Sequence, residues 1–510
     1  MGMNLDRRDF VKAIAYGGMG VATSQITACA AARHNNAQST VPPANAYRYR
    51  IGFGAWINDM RNTPLPVQNW PAPQFDDATL EGAVRAMEVM RDAGYEYLDA
   101  FGLWATNNYP PDIVSAFQDK ERHNYLTKLF RAADKLGIKM ILPLGLLTWG
   151  YDRIIEEDPS VRGKDQDGKP HPHAMCGAQE KTWTYIYKLI DAAMSQFDFK
   201  GVHMESADLG WCMCPECGGK YGTVGYNCRL NIRAAGYFRS KWPNLLLYTI
   251  PINWVPLRLT EAGVQQTFTR AEFDEVVELS KHIDVFMDQG HRGNFTPAEW
   301  IPELKCAYGT SGGLWVYHCV RMDRLSYFLP YPMRAGQYLK RDYDKGARGC
   351  LHYQGPMINP AVEINTAVAG RMMCDVSRNP RDVLEEVIEL YYRPRTPEAR
   401  KTLADVFCRV EEGFFGRWDV KGIKEQHKAD VPGEFAGWGL FGEEPEFPAH
   451  LFDPFLNKEG RLAYKNELIA CLKDMEAIRG QLGCQDRTER VIEALLLTVQ
   501  FLKAYICLMQ

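Results

Sequence analysis

The sequence predicts a (β/α)8 barrel of the TIM type followed by an all-helical C-terminal domain. Strand-like and helix-like runs alternate from residue 49 to residue 373. That alternation is the mark of a parallel sheet with helical crossovers. Eight such units over about 325 residues suit a barrel with long loops after its strands. Beyond about residue 376 the strand-like runs stop and amphipathic runs take over. A doubly wound open sheet is the alternative, but no Gly-rich phosphate turn follows the first strand.

The elements follow in order. Tyr49–Trp56 reads as the first strand, and Asp76–Ala93 as a helix with Leu80, Ala83, Val84, Met87, Val89 and Met90 at helical spacing. Tyr95–Phe101 is a strand, Lys120–Leu136 a helix and Lys139–Leu147 a strand. A polar excursion follows, with Asp165-Gln166-Asp167-Gly168 as turn chemistry. Then come helix Lys181–Phe197, strand Gly201–Met204, helix Tyr226–Trp242, strand Leu245–Ile252, helix Arg270–His282 and strand Ile283–Met287. Leu314–Cys319 is expected as the seventh strand, Met333–Tyr343 as a helix, Gly349–Tyr353 as the eighth strand and Val362–Met373 as its helix. The C-terminal helices are Pro380–Tyr392 (apolar at Val383, Leu384, Val387, Ile388, Leu390 and Tyr391), Glu398–Phe414 and Gly460–Met509. Residues 416–456 are irregular and rich in Gly, Pro, Phe and Trp.

The domain plan is therefore an address, a tether, a barrel over 47–375 and helices over 376–510. Arg7-Arg8-Asp9-Phe10-Val11-Lys12 precedes a short apolar stretch, as in a twin-arginine export signal over residues 1–29. Ile26-Thr27-Ala28-Cys29 ends it like a lipobox, making Cys29 the expected lipidation site. Residues 30–46 read as a flexible tether. The expected location is the periplasm or the cell surface, with a lipid anchor as the only membrane contact.

With 46% hydrophobic and 24% charged residues, composition excludes disorder and fibrous repeats. Lys+Arg of 59 against Asp+Glu of 63 gives no basic excess, so no nucleic-acid partner is expected. Aromatics at 12% fit a cleft that stacks sugar rings, and equally a large aromatic core.

Catalytic groups of such a barrel lie at the C-terminal ends of its strands. Reading those positions gives Asp99 and Trp104 after strand two, Trp149 and Asp152 after strand three, and His203, Glu205 and Asp208 at strand four. Trp254 follows strand five, Asp288 and His291 strand six, Tyr317, His318 and Arg321 strand seven, and His352 and Tyr353 strand eight. Carboxylates with Trp and His suit a carbohydrate. Glu205 is the leading candidate general acid, with Asp208 or Asp288 activating water or orienting substrate. Asp99, Trp104, Trp149, His173, His203, Trp254, His291, Tyr317, His318, Arg321, His352 and Tyr353 are the candidate substrate contacts. No glutamate stands in Trp315-Val316-Tyr317-His318, which favours an inverting or substrate-assisted scheme. Two rival readings are a glycan-binding lipoprotein on a degenerate barrel and a metal-dependent hydrolase or lyase using His203, His291, His318 and His352.

Among 14 cysteines, Cys212, Cys214 and Cys217 cluster, with Cys228 nearby in sequence. Structural zinc, a disulfide such as Cys214–Cys217 or Cys212–Cys228, and buried free thiols all stay open. No cofactor is expected other than a structural zinc at these thiols. Cys176 beside His171 and His173 is a further metal-ligand candidate.

The segment Ser206-Ala207-Asp208-Leu209-Gly210-Trp211-Cys212-Met213-Cys214-Pro215-Glu216-Cys217 resembles one that follows strand four in bacterial barrel proteins related to α-glucuronidases and hexosaminidases. Leu209 stands where those relatives usually carry glycine. Pro360–Asn365 and Pro380–Tyr392 look like their barrel-to-helix junction, and Asp165–Cys176 like their strand-three loop. The resemblance implies a glycan-processing enzyme with Glu205 and Asp208 at the sugar.

Overall fold

The computed structural model describes residues 45–54, 75–100, 120–148, 150–207, 209–255, 258–260, 263–265, 267–288, 295–313, 328–415 and 458–508. The export signal with Cys29, and Trp104, Trp149, Asp208, His291, Tyr317, His318 and Arg321, lie outside the described residues.

The chain runs β1 (Tyr49–Phe53), α1 (Asp77–Ala93), β2 (Tyr97–Asp99), α2 (Lys120–Leu136), β3 (Lys139–Gly145), α3 (Asp152–Glu157), β4 (Arg162–Lys164), β5 (Pro170–Met175), α4 (Glu180–Gln196) and β6 (Gly201–Glu205). It continues with α5 (Gly218–Lys241), β7 (Leu246–Thr249), β8 (Arg258–Thr260), β9 (Gly263–Gln265), α6 (Arg270–Leu279), β10 (Val285–Asp288), β11 (Ala307–Gly312), α7 (Pro332–Asp344) and β12 (Gly349–Tyr353). Five further helices close the described chain: α8 (Pro360–Cys374), α9 (Pro380–Tyr392), α10 (Pro397–Phe415), α11 (Lys458–Ile478) and α12 (Gln485–Leu508).

Eight parallel strands close a barrel in the order β1-β12-β11-β10-β7-β6-β3-β2. This is the expected (β/α)8 architecture with helices after it. Helix starts follow local chemistry. Asp76 Oδ1 accepts from Thr79 N at 2.8 Å, and Thr269 with Glu272 forms a capping box on α6. Asn359 and Asn379 cap α8 and α9, each followed by proline at the first helical position.

Ile51, Phe53, Ile141, Leu246, Tyr248, Ile250, Val285, Met287, Leu351 and Tyr353 fill the barrel interior. The alternate residues of the same strands, such as Leu98, Leu142, Val202, Leu247 and Phe286, face the helices.

One strand differs from expectation. The seventh barrel strand is Ala307–Gly312, not Leu314–Cys319, which lies outside the described residues. It pairs with β10 and β12 in parallel. Its residues are small because neighbours fill the interior beside it. A Cβ on Gly309 would stand 2.7 Å from Met287 Sδ and 3.0 Å from Val285 Cγ1. A strand of Gly, Thr and Ser carries no apolar periodicity to read.

The polar excursion contains the antiparallel hairpin β4–β5. Its turn is the expected one: Asp165 Oδ1 accepts from Asp167 N and Lys169 N, and Gly168 has φ 77°. The final run splits into α11 and α12, and Leu390 is exposed rather than part of the buried face of α9.

Helix α8 is buried on nearly every face, between α1, α7, α9 and α12. It carries one charge inward. Glu363 is 1% exposed and accepts from Arg487 Nε at 3.0 Å and Nη2 at 2.9 Å, with Arg85 Nη2 at 3.3 Å. Burial pushes the Glu363 carboxyl up, but the charges of Arg487 and Arg85 outweigh it and hold it below its usual value. The stability this supplies is present above the ordinary carboxylate range and is lost as pH falls through the depressed value. Arg487→Met leaves the buried carboxylate with Arg85 as its one remaining ion pair and is expected to cost about 3 kcal/mol in urea unfolding at pH 7. Urea unfolding of Glu363→Gln is expected to show a smaller loss of stability from pH 7 to pH 4 than the parent.

Candidate active site

Strand register decides which rim residues face the barrel mouth. Phe53 is paired with Asp99, Asp99 with Ile141, and Ile141 with Gly201, so Asp99, His203 and Glu205 share the inner face. His203 is paired with Tyr248, another inner residue. These groups meet. Asp99 Oδ2 accepts from Tyr248 Oη at 2.5 Å and from His203 Nδ1 at 2.8 Å. The His203 ring stacks on Tyr248 at 4.8 Å and 12°, and stands edge-on to Phe53 at 6.1 Å. Phe53 in turn lies 5.5 Å from Tyr353.

Burial pushes the Tyr248 phenol far up, and the charges of Asp99 and Glu205 add to it. It therefore remains a donor. The 2.8 Å contact suits the His203 tautomer whose Nδ1 proton points at Asp99. Oδ1 of Asp99 is buried with no hydrogen-bond partner among the described residues.

Glu205 ends β6 above this layer, 3% exposed. Its carbonyl accepts from Leu146 N, tying the third strand's end to the fourth. Thr249 Oγ1 donates to the Met204 carbonyl at 2.6 Å, and Asn231 Nδ2 donates to Ser206 Oγ at 3.1 Å. Left-handed backbone at Leu147 (φ 70°) and Asn253 (φ 59°) turns the chain sharply after β3 and β7.

Three expected site residues lie elsewhere. Asp288 is paired with Thr310 on the outer face of the wall. Its Oδ1 accepts from Phe295 N, and its Oδ2 from Thr296 N and Tyr308 Oη at 3.0 and 3.1 Å. It anchors the backbone of Phe295 and Thr296 from the outer face. His352 also points outward, between Tyr95 Oη at 3.2 Å and Tyr331 Oη at 3.4 Å. Burial pulls its imidazole down to about 3, so it is neutral. His203 and His352 thus stand on opposite sides of the wall and cannot share a metal ion. Trp254 is fully buried against Phe286 and offers no face for stacking. Asp288 and His352 follow their strands correctly, but the period of two sends them away from the axis, whereas Trp254 is carried into the core by the turn after β7.

His173 Nδ1 pairs with Asp152 Oδ1 at 2.6 Å in the strand-three loop, and its ring is part-exposed. His171 Nδ1 accepts from His173 N and Ala174 N, so this ring is spent on the loop itself. Sequence reasoning missed Tyr248. The usable signal was its inner position, two residues past Leu246 in the fifth strand.

The cysteine set differs from the expected one. Cys176, Cys212, Cys214 and Cys217 are all buried, with their sulfurs within 4.8 Å of one another. Cys228 is not among them. It sits within α5 near Arg229 and Glu275. All are free thiols, so neither Cys214–Cys217 nor Cys212–Cys228 is a disulfide.

No family model matches the chain, and no curated protein matches it. Solved structures do. A GH138 enzyme targeting pectin rhamnogalacturonan II superposes over 91% of this chain with a TM-score of 0.51 at 10% identity. The chain spans 58% of that enzyme's length. A GH89 protein from Clostridium perfringens, in complex with its substrate GlcNAc-alpha-1,4-galactose, gives 0.48 at 10% identity over 89% of this chain and 49% of its own. A GH20 chitobiase from Flavobacterium johnsoniae gives 0.42 at 12% identity over 89% and 73%. The chain thus has the barrel fold found among glycoside hydrolases.

Tyr248→Phe removes one of two donors to a buried carboxylate oxygen. It is expected to cost about 1.5–3 kcal/mol in chemical denaturation, because a hydrogen bond to a charged group is worth that much.

Proposed function

We propose that this protein is an exported glycoside hydrolase in which Glu205 is the general acid. One observation carries the reading. The Glu205 carboxyl ends the fourth barrel strand on its inner face, where barrel enzymes place their chemistry. The fold shared with the GH138 enzyme, which targets pectin rhamnogalacturonan II, supports it.

In this scheme Glu205 protonates the glycosidic oxygen as the bond breaks. Asp208, three residues on, is the partner that activates water or orients a substrate group. Asp99 is committed to His203 and Tyr248 and holds the floor of the site rigid. Tyr353 and part-exposed His173 contact the sugar. His318 and Arg321 are assigned to an acidic substituent, since the guanidinium fork matches a carboxylate.

A hydrolysis panel of aryl glycosides and acidic and neutral polysaccharides tests the assignment. Glu205→Gln is expected to lower turnover by about 10² or more with unchanged thermal unfolding. Equal turnover in parent and variant would remove Glu205 from the chemistry. Glycan binding without turnover by the parent would make the protein a lectin-like binder.

Export is tested separately. Lysine at both Arg7 and Arg8 is expected to hold the protein in the cytoplasm in cell fractionation. Cys29→Ala is expected to move exported protein from the membrane fraction to the soluble one.

A further inference from the structure

We infer that Cys176, Cys212, Cys214 and Cys217 bind one Zn²⁺ ion that staples the strand-three hairpin to the strand-four loop beside Glu205. The geometry points to a single ion. Cys176 Sγ lies 3.8 Å from Cys214 Sγ and 3.7 Å from Cys217 Sγ. With Zn–S bonds of ~2.3 Å, the corners of a tetrahedron are ~3.8 Å apart. A disulfide would need ~2.05 Å. A four-iron cluster sits between its cysteines and holds them further apart than one ion does.

The surroundings are built for thiolates. Lys164 N donates to Cys212 Sγ at 3.4 Å. An outer-shell donor of this kind spreads the charge of a tetrathiolate site, which carries a net −2 once each thiol has given its proton to solvent. The chain folds tightly round the cluster. Gly218 N reaches the Cys212 carbonyl and Gly219 N the Cys214 carbonyl, at 3.0 and 3.1 Å. A Cβ on Gly219 would come within 2.9 Å of that Cys214 oxygen, and one on Gly218 within 2.5 Å of Met213 Sδ.

Four protein ligands leave no open position, so the ion is structural and takes no part in bond cleavage. Its work is mechanical. Cys176 follows β5, while the other three ligands follow β6 by way of Asp208 and Trp211. Met213 N already donates to the Lys164 carbonyl at 2.7 Å, so the loops meet along the main chain. The ion fixes them to each other and thereby fixes the rim between His173 and Glu205.

Elemental analysis of the purified protein, grown with zinc and dialysed, is expected to give about one zinc per chain with no iron. Cobalt exchanged into the site should show the strong visible bands of a tetrahedral tetrathiolate and a sulfur-to-cobalt charge-transfer band. Cys176→Ser should lose most of the zinc or weaken its retention against a chelator by 10-fold or more, whereas Cys228→Ser should keep it. Should Cys176→Ser fail to fold, the metal content and cobalt spectrum of the parent still decide. Iron in place of zinc, disulfides found by mass spectrometry with no metal, or four thiols free to react with no metal bound would each overturn the assignment. Equal loss of zinc in Cys176→Ser and Cys228→Ser would overturn the ligand set.

Discussion

The alternation of side chains along the barrel strands is the constraint on which the rest depends. A closed parallel wall has one inside and one outside, and each step along a strand changes sides. Inside, Asp99, His203, Tyr248 and Glu205 fall into one column because the strands are paired in register. Outside, Asp288, His352 and Phe286 are drawn into the layer between wall and helices. The same residue type therefore faces the barrel axis on one side and anchors a loop on the other.

Buried carboxylates show how the fold manages charge. Glu363 is flanked by two guanidinium groups, and their attraction outweighs the cost of burial. Glu411 is as deeply buried but leans on backbone. It accepts from Met333 N at 3.0 Å and Arg334 N at 2.7 Å at the start of α7, with Arg334 Nη1 at 3.5 Å. Here burial wins and the carboxyl is pushed up to about 7. Asp99 is held by His203 and Tyr248, and Asp288 by two backbone N–H groups and Tyr308, each at the end of a barrel strand. Full countercharge sits in the helix layer, where it locks α8 to α1 and α12.

The loops on the rim need other means of support. The strand-three loop is held by its own hairpin, by His171 bonding back to the main chain, and by main-chain contact with the cysteine segment. Gly210, at φ 91°, brings that segment in close, since a Cβ there would meet His171 Nε2 at 2.6 Å. The four thiols occupy the place where these two loops cross.

Much of the fold was legible in the chain. Lys120–Leu136, Gly349–Tyr353 and Pro380–Tyr392 have the bounds their periodicity predicts. Helical and strand periods are local, and each apolar stripe records the one face its element buries. The place of Glu205 at the end of the fourth barrel strand was legible too, because it closes an apolar run. What the chain alone left open depended on neighbours. Ala307–Gly312 is a strand only because Val285 and Met287 fill the space its glycines leave. Asp288 and His352 were assigned to the mouth until pairing with Thr310 and with Gly52 and Gly312 put them outside. Cys176 joins Cys212 only through a loop crossing of 36 residues, while Cys228, closer in sequence, is carried off by α5. Sequence determined which elements form and where the reactive side chains stand along them. Tertiary structure decided which of those side chains share a face, because strand pairing and loop crossing join residues whose separation along the chain carries no record of the contact.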